Sequence, residues 1–265
     1  MGFRVACTEV ASPLCVRRLV SFAEAVRTVR ATVEGVTAVR SDPDGIEDAW
    51  SRGEVPVLVD PDLDVLHRRS FDALVDGAMA KRNLGTRIDL APVVVALGPG
   101  FTAGVDCHAV VETLAGHDLG RVILDGSAAP DTGRAGPPES YLDPASVVPA
   151  VFASAARAGE SPWDVILLRA PVSGTFRAAR RIGDIVEVGE IVGRVGDADV
   201  RARIPGVLRG LIADGVEVHR GLKIGDVDPG GETRRAFTVS EKSNAVAGGV
   251  IEAVTRLVRE RRASQ

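Results

Sequence analysis

Ala170–Gly196, APVSGTFRAARRIGDIVEVGEIVGRVG, is answered 32 residues later by Ala202–Asp228, ARIPGVLRGLIADGVEVHRGLKIGDVD. Identical pairs at that offset include Ala170/Ala202, Gly174/Gly206, Gly183/Gly215, Val186/Val218, Gly189/Gly221 and Gly193/Gly225. A constant offset over so short a window marks an internal repeat. Each copy reads as short strands rich in β-branched residues, separated by glycines where a turn needs positive φ. Two copies facing each other would close a small flattened barrel, placed at residues 163–232.

This pattern resembles the lipoyl/biotinyl barrel-sandwich hybrid family. The resemblance implies a carrier lysine at the hairpin tip between the repeats. Here the tip is Gly196-Asp197-Ala198-Asp199, and no lysine occurs from Gly174 to Pro205. The half is therefore expected to carry neither lipoyl nor biotin, and to act as a structural or docking element.

Working back toward the start, 1–162 alternates short apolar strands with helical patterns. Phe3–Glu9, Thr32–Val39, Val55–Val59, Asp72–Val75, Val93–Leu97 and Arg121–Leu124 read as strands. Ser12-Pro13, Asp42-Pro43 and Asp60-Pro61 read as helix starts, each a cap followed by proline. Further helices are expected over Asp106–Leu114 and Ala145–Ala158. Such alternation predicts an α/β fold: a Rossmann-like, doubly wound, mostly parallel sheet covered by helices. Residues 233–265 read as a strand, Ala236–Val239, and a helix, Ser243–Arg261. The stripe Val246, Val250, Ala253, Val254 and Leu257 is expected to pack back on the α/β half, with Gly248-Gly249 allowing close approach.

Composition narrows the function classes. The 265 residues are 45% hydrophobic but only 4% aromatic, so the core must come from aliphatic residues. A net charge of −4 argues against general nucleic-acid binding, which needs cations to displace counterions. Cys7, Cys15 and Cys107 make no disulfide framework, so a reducing, cytoplasmic setting is expected. No run approaches the length of a membrane span.

Ligands of open α/β sheets sit beyond the carboxyl ends of the strands. That rule gathers Glu9, Asp60, Asp76, the Gly98 loop and Asp125 on one expected rim, although acids there often serve as helix caps. Gly98, Gly100, Thr102 and Gly104 follow a buried strand and precede the expected helix, so their amides could hold a phosphate. The loop is neither a Walker A nor a GxGxxG sequence. Asp106, Cys107 and His108 stand at the expected helix start, where a thiol should have a lowered pKa. Lys81, Arg82 and Asn83, with Arg87 beyond, would supply the cationic side. No zinc-type ligand spacing is present, and no metal is expected.

DGAMAKRN (76–83), LGPGFTAGVDCHAVVET (97–113), GHDLGRVILDGSA (116–128) with PDTG (130–133), GVLRGLI (206–212), GLKIGDVDP (221–229) and FTVSEKSNAVAGGVIEAV (237–254) together resemble the YqeB family. The resemblance implies an accessory factor in maturation of a selenium-dependent molybdenum hydroxylase of the xanthine dehydrogenase kind. It implies binding of an anionic nucleotide or molybdenum cofactor, and the hydroxylase apoenzyme or other maturation factors as partners. It also implies a strand and a glycine-rich turn ahead of Phe3, so exposed sheet edges are expected, with homo-oligomerisation or disorder as the consequence. Cys107 would carry sulfur or selenium. A nucleotide-dependent enzyme with a degenerate site, using Glu9 on ribose, and a non-catalytic scaffold are the alternative readings.

The lysine-free tip leads to a direct check. The intact mass should equal that of the unmodified chain, and an addition mapped to residues 196–199 would overturn the reading.

Overall fold

The computed structural model describes residues 2–132 and 162–264, so the expected helix over 145–158 lies outside the described residues. The fold is mixed α/β with parallel strands in two separate sheets. Contacts divide the described residues into two compact units. One lies within Met1–Asp64 and Tyr141–Val239, the other within Val65–Ser140 and Ser240–Gln265.

The first unit opens with β1 (Cys7–Glu9), β2 (Arg30–Val33), β3 (Val36–Ser41) and β4 (Val55–Val59), ordered β1-β4-β3-β2. β4 runs parallel to both β1 and β3, whereas β2 is antiparallel to β3. The single strand expected over Thr32–Val39 is thus a hairpin. Its turn sits at Glu34 and Gly35, whose φ values are 47° and 84°. The pattern of β-branched residues continues through a tight turn of this kind, so periodicity alone did not reveal the reversal. The helix expected from Ser12-Pro13 is reduced to 3-10 turns and the single turn α1 (Ala25–Thr28). α2 (Ile46–Ser51) forms after Asp42-Pro43 and buries Ile46 and Ala49.

The second unit has α3 (Val65–Arg68), β5 (Ala73–Asp76), β6 (Val93–Leu97), β7 (Thr102–Ala103), β8 (Ala109–Val111), β9 (Val122–Ile123) and β10 (Gly126–Ser127). Its main sheet is ordered β5-β6-β8-β9, with β5, β6 and β8 parallel and β9 antiparallel. The helix expected over Asp106–Leu114 is therefore wrong: its centre is strand β8. Ala109, Val110 and Val111 are all fully buried, and a short apolar run has no period that separates a buried strand from a helix. One face of the sheet, with Val93, Val95, Ala109 and Val111, is covered by α4 (Glu241–Ala263) through Val246, Val250, Ala253, Val254 and Leu257. The other face holds Val94, Ala96 and Val110 under Phe101, Ala103, Cys107 and Ala128. Residues Thr233–Ala236 form a 3-10 turn where a strand over Ala236–Val239 was expected.

The remainder of the first unit is the duplicated half. It has β11 (Leu167–Arg169), β12 (Gly174–Ala178), β13 (Ile185–Val186), β14 (Ile191–Val195), β15 (Ala198–Arg201), β16 (Gly206–Leu211), β17 (Glu217–Val218) and β18 (Lys223–Asp228). The sheets are ordered β11-β18-β16-β13 and β15-β14-β12-β17. Shifting residue numbers by 32 carries each strand of one sheet onto the strand in the same place in the other. The repeat glycines agree as well: φ is 146° at Gly174 and 151° at Gly206. Phe176, Val186, Val192 and Val195 meet Leu208, Val218, Ile224 and Val227 in one shared core.

Only one of the two α4 glycines makes a close approach. A Cβ on Gly249 would lie 2.2 Å from the Gly120 carbonyl oxygen and 2.7 Å from Val111 Cγ1, while one on Gly248 would meet nothing within 4 Å. Gly249→Ala should therefore lower unfolding free energy by about 1–3 kcal/mol through overpacking. Gly248→Ala should raise it by about 0.5–1 kcal/mol, because alanine loses less entropy in a helix. Urea unfolding of the two variants checks both signs.

Candidate functional site

The expected site residues all lie in the second unit, but they do not converge. Successive residues entering a strand point to opposite sides. Asp106 faces the loop after β5, where its Oδ1 accepts a hydrogen bond from Asn83 Nδ2 at 3.2 Å and its Oδ2 accepts from the Thr102 amide at 2.8 Å. Cys107 turns into the apolar layer beside Phe101, Ala103 and Val110 and has no exposed surface. His108 turns the other way. Its Nδ1 accepts the Val94 N–H at 3.0 Å, which leaves any neutral-ring proton on Nε2. Burial and nearby Arg261 hold this imidazole below its ordinary pKa.

The thiol expectation is reversed. Without a helix start there is no partial positive charge at Cys107, and burial followed by the nearby Asp106 carboxylate pushes it up to about 11. Such a group is a poor nucleophile at neutral pH.

The glycine loop also has a different use. Gly98 N–H donates to the Val111 carbonyl at 2.9 Å, and Gly104 N–H donates to the Cys107 carbonyl at 2.8 Å. A Cβ on Gly100, where φ is 106°, would stand 2.5 Å from Arg82 Cα and 2.7 Å from Arg82 N. Gly100 thus lets two loop backbones touch, and the gap where an anion was expected is filled by main chain. Thr102 pairs its hydroxyl with Ser127 at 3.0 Å.

Asn83 organises the loop after β5. Its Oδ1 accepts the amides of Gly85 at 2.8 Å and Thr86 at 2.7 Å, and its Nδ2 donates to the Thr86 carbonyl at 2.8 Å. Asp76 accepts the Thr86 hydroxyl at 2.5 Å and the Ala78 amide at 3.0 Å. Lys81 Nζ lies 2.8 Å from Asp131, and Arg87 pairs with Asp89 at 3.0 Å. Arg82 remains exposed, with no hydrogen bond or ion pair among the described residues. Met79 and Lys81, neither of them glycine, hold φ at 54° and 62°.

The single expected rim is also divided. Glu9 and Asp60 belong to the first unit, and Asp60 accepts the Asp64 amide at 2.8 Å. Glu112 was missed from sequence. Buried at the end of β8, it accepts amides from Thr113 and Leu114 at 2.7 Å and Ala129 at 2.8 Å. The available signal was a carboxylate placed directly after a buried apolar strand. Among the described residues, no group of three His, Cys, Asp or Glu side chains could hold a metal, and no helix is long and apolar enough to cross a membrane.

No family model matches the chain. It is 42% identical over 261 residues, 98% of its length, to the uncharacterized protein YqeB of Escherichia coli K12. This chain belongs to the YqeB family. It spans 44% of that relative's length. Among solved structures, the ectoine utilization protein EutE (DoeB) of Ruegeria pomeroyi aligns over 84% of each chain with a TM-score of 0.25 and 17% identity. A succinylglutamate desuccinylase/aspartoacylase of Rhodobacter sphaeroides aligns over 52% of this chain and 45% of its own, with a TM-score of 0.23 and 17% identity.

Cys107 gives the test of this geometry. Its folded pKa lies above the ordinary thiol value, so the unfolded chain loses the proton first. Its stabilising contribution is complete below about pH 9 and falls away as pH rises toward 11. Cys107→Ala should flatten that alkaline loss, read by urea titrations from neutral to high pH. In the native protein, iodoacetamide at neutral pH should leave Cys107 unmodified, as peptide mapping would report.

Proposed function

We propose that this chain is a non-enzymatic accessory module in maturation of a selenium-dependent molybdenum hydroxylase. In this role it holds an anionic group, such as a nucleotide or pterin phosphate, at the loop after β5. The observation that carries the reading is Arg82: an exposed guanidinium with no partner among the described residues, on a loop fixed by Asn83, Asp76 and the Lys81–Asp131 pair. Left-handed backbone at Met79 and Lys81 is the kind of local strain that tends to collect at binding sites. Met79 and Leu84, 47% and 63% exposed beside it, suit a ligand in which an anion is joined to a flat ring. Cys107 has no transfer role in this reading, because the thiol is enclosed and protonated.

The finer architectural assignments belong here too. The duplicated sheets fit a lipoyl/biotinyl-type barrel-sandwich hybrid over 163–232, acting without a swinging arm. The parallel strands of 1–162 fit a Rossmann-like origin, with 233–265 completing that half. The partners would be the hydroxylase apoenzyme or its other maturation factors in the cytoplasm.

Native mass spectrometry with molybdopterin nucleotides tests the assignment. The wild-type protein should retain the ligand, Arg82→Glu should weaken retention by about tenfold or more, and Cys107→Ser should retain it. Hydroxylase activation per folded molecule should follow the same order. Ligand retention unaffected by Arg82→Glu would remove the loop from the function. Normal binding with abolished activation in Cys107→Ser would restore the thiol to it.

A further inference from the structure

The two halves of the duplicated body share their strand order but not their surroundings. Over β16 lies the chain's own N-terminal segment. The Val16 carbonyl accepts the Leu211 amide at 2.9 Å, and Leu19 packs against the shared core. A Cβ on Gly210 would come within 2.7 Å of Val16 Cγ1 and 3.2 Å of Arg17 Cδ, so the segment lies directly on the strand. Arg17 Nη2 donates to the carbonyls of Arg235 and Thr238 at 2.9 and 3.1 Å. Asp226 and Asp228 attract this guanidinium, whereas burial and the like charge of Arg209 push it down to about 10. Asp226 and Asp228 are 7% and 3% exposed beneath the cover.

On the other half, the positions equivalent to Gly210, Asp226 and Arg209 are Ala178, Arg194 and Arg177, and all three are exposed. Arg177 and Arg194 stand directly opposite each other on β12 and β14, with side chains 68% and 60% exposed. Two like charges in register repel, an arrangement that costs stability in the free sheet. Asp199 is shared by Arg194 and Arg201 at 2.8 and 2.6 Å, and Asp214 lies 3.2 Å from Arg177. Three guanidiniums therefore share two carboxylates, in a chain whose net charge is −4. Exposed pairs of this kind are weak and exchange readily for another carboxylate.

We propose that the outward face of β12, β14 and β15 is a docking surface for an extended acidic segment of a partner polypeptide, lying where residues 15–20 lie on the other half but held by its side chains, because the Ala179 amide, equivalent to that of Leu211, already donates to the Val192 carbonyl at 3.0 Å. The covered twin argues for a polypeptide as the occupant. The change from Asp226 to Arg194 at equivalent positions sets the sign: the covering segment brings a cation, Arg17, into the field of Asp226 and Asp228 on one half, so an acid should be drawn to the arginines on the other. This surface is independent of the loop carrying Arg82.

The probe is a fluorescein-tagged peptide of the Pro13–Phe22 sequence carrying Cys15→Ser, Arg17→Glu and Arg18→Glu. A control peptide carries only Cys15→Ser. Anisotropy with the full chain at low salt should show saturable binding of the acidic peptide, absent for the control and weakened by added salt. The double variant Arg177→Glu/Arg194→Glu should weaken it by about tenfold or more. The milder pair Arg177→Gln/Arg194→Gln should also weaken binding while its melting temperature stays near the wild-type value, because the repulsion relieved offsets the weak exposed ion pairs lost. No saturable binding, equal binding of both peptides, or full binding by the glutamine pair would each overturn the proposal. So would displacement of the peptide by an equimolar single-stranded oligonucleotide, which would assign the face to another class of partner.

Discussion

Where residues 15–20 cross β16, the Val16 carbonyl takes the Leu211 amide proton, and much of the first unit depends on that crossing. Two equal antiparallel sheets can share an apolar interior, but their outer faces remain wet unless something covers them. Covering one face here takes Asp226 and Asp228 out of water, which costs several kcal/mol per ion when uncompensated. Lys223, 2.7 Å from Asp226, offsets part of that cost, and the charge of Arg17, which arrives with the covering segment, adds to that offset. Gly210 supplies the missing volume. The same chain then continues through α1 beneath the parallel sheet of this unit, where Ala25 and Val26 pack against Ala38 and Val57.

In the second unit the governing constraint is the backbone amide. A helical connection satisfies its own N–H groups, but the β6–β8 connection is a short β-turn structure and cannot. Amides of this connection and of the neighbouring loops need side-chain acceptors, among them Asp106 and Asn83, which sequence offered as site residues, and Glu112, which it did not. Asp106 takes the Thr102 amide, Glu112 takes three amides, and Asn83 takes two. Carboxylates that hold loops in this way have little capacity left for a ligand. What the loops leave unused among the described residues is cationic: Arg82 is exposed on a backbone fixed on both sides.

Legibility followed the length and exposure of each element. β4 and β6 have the limits read from sequence, because VPVLV and VVVAL are bounded by charged or turn residues and are too short for a helix. The duplication was legible from the constant offset of the glycines, which reports turn positions, whereas the limits and pairing of the individual strands were not. Asp106–Leu114 was misread because HAVVETL satisfies helical and buried-strand patterns equally, and only pairing with β6 separates them. The site suffered from the same ambiguity. At a helix start the Cys107 thiol would be activated, whereas burial, the decisive quantity, leaves no mark in the residue type.

Sequence by itself determined the internal repeat, the aliphatic composition of the cores, the absence of a lysine at the repeat hairpin and the family. These are properties of residue identity and spacing along the chain. Tertiary structure alone decided that the parallel strands fall into two sheets, that Asp106, Cys107 and His108 face different surroundings, and that one duplicated face is covered while its twin is open. Each of those outcomes depends on which distant backbone lies against a strand. A strand's own residues specify that it needs a neighbour, but the neighbour is chosen by the packing of the whole unit.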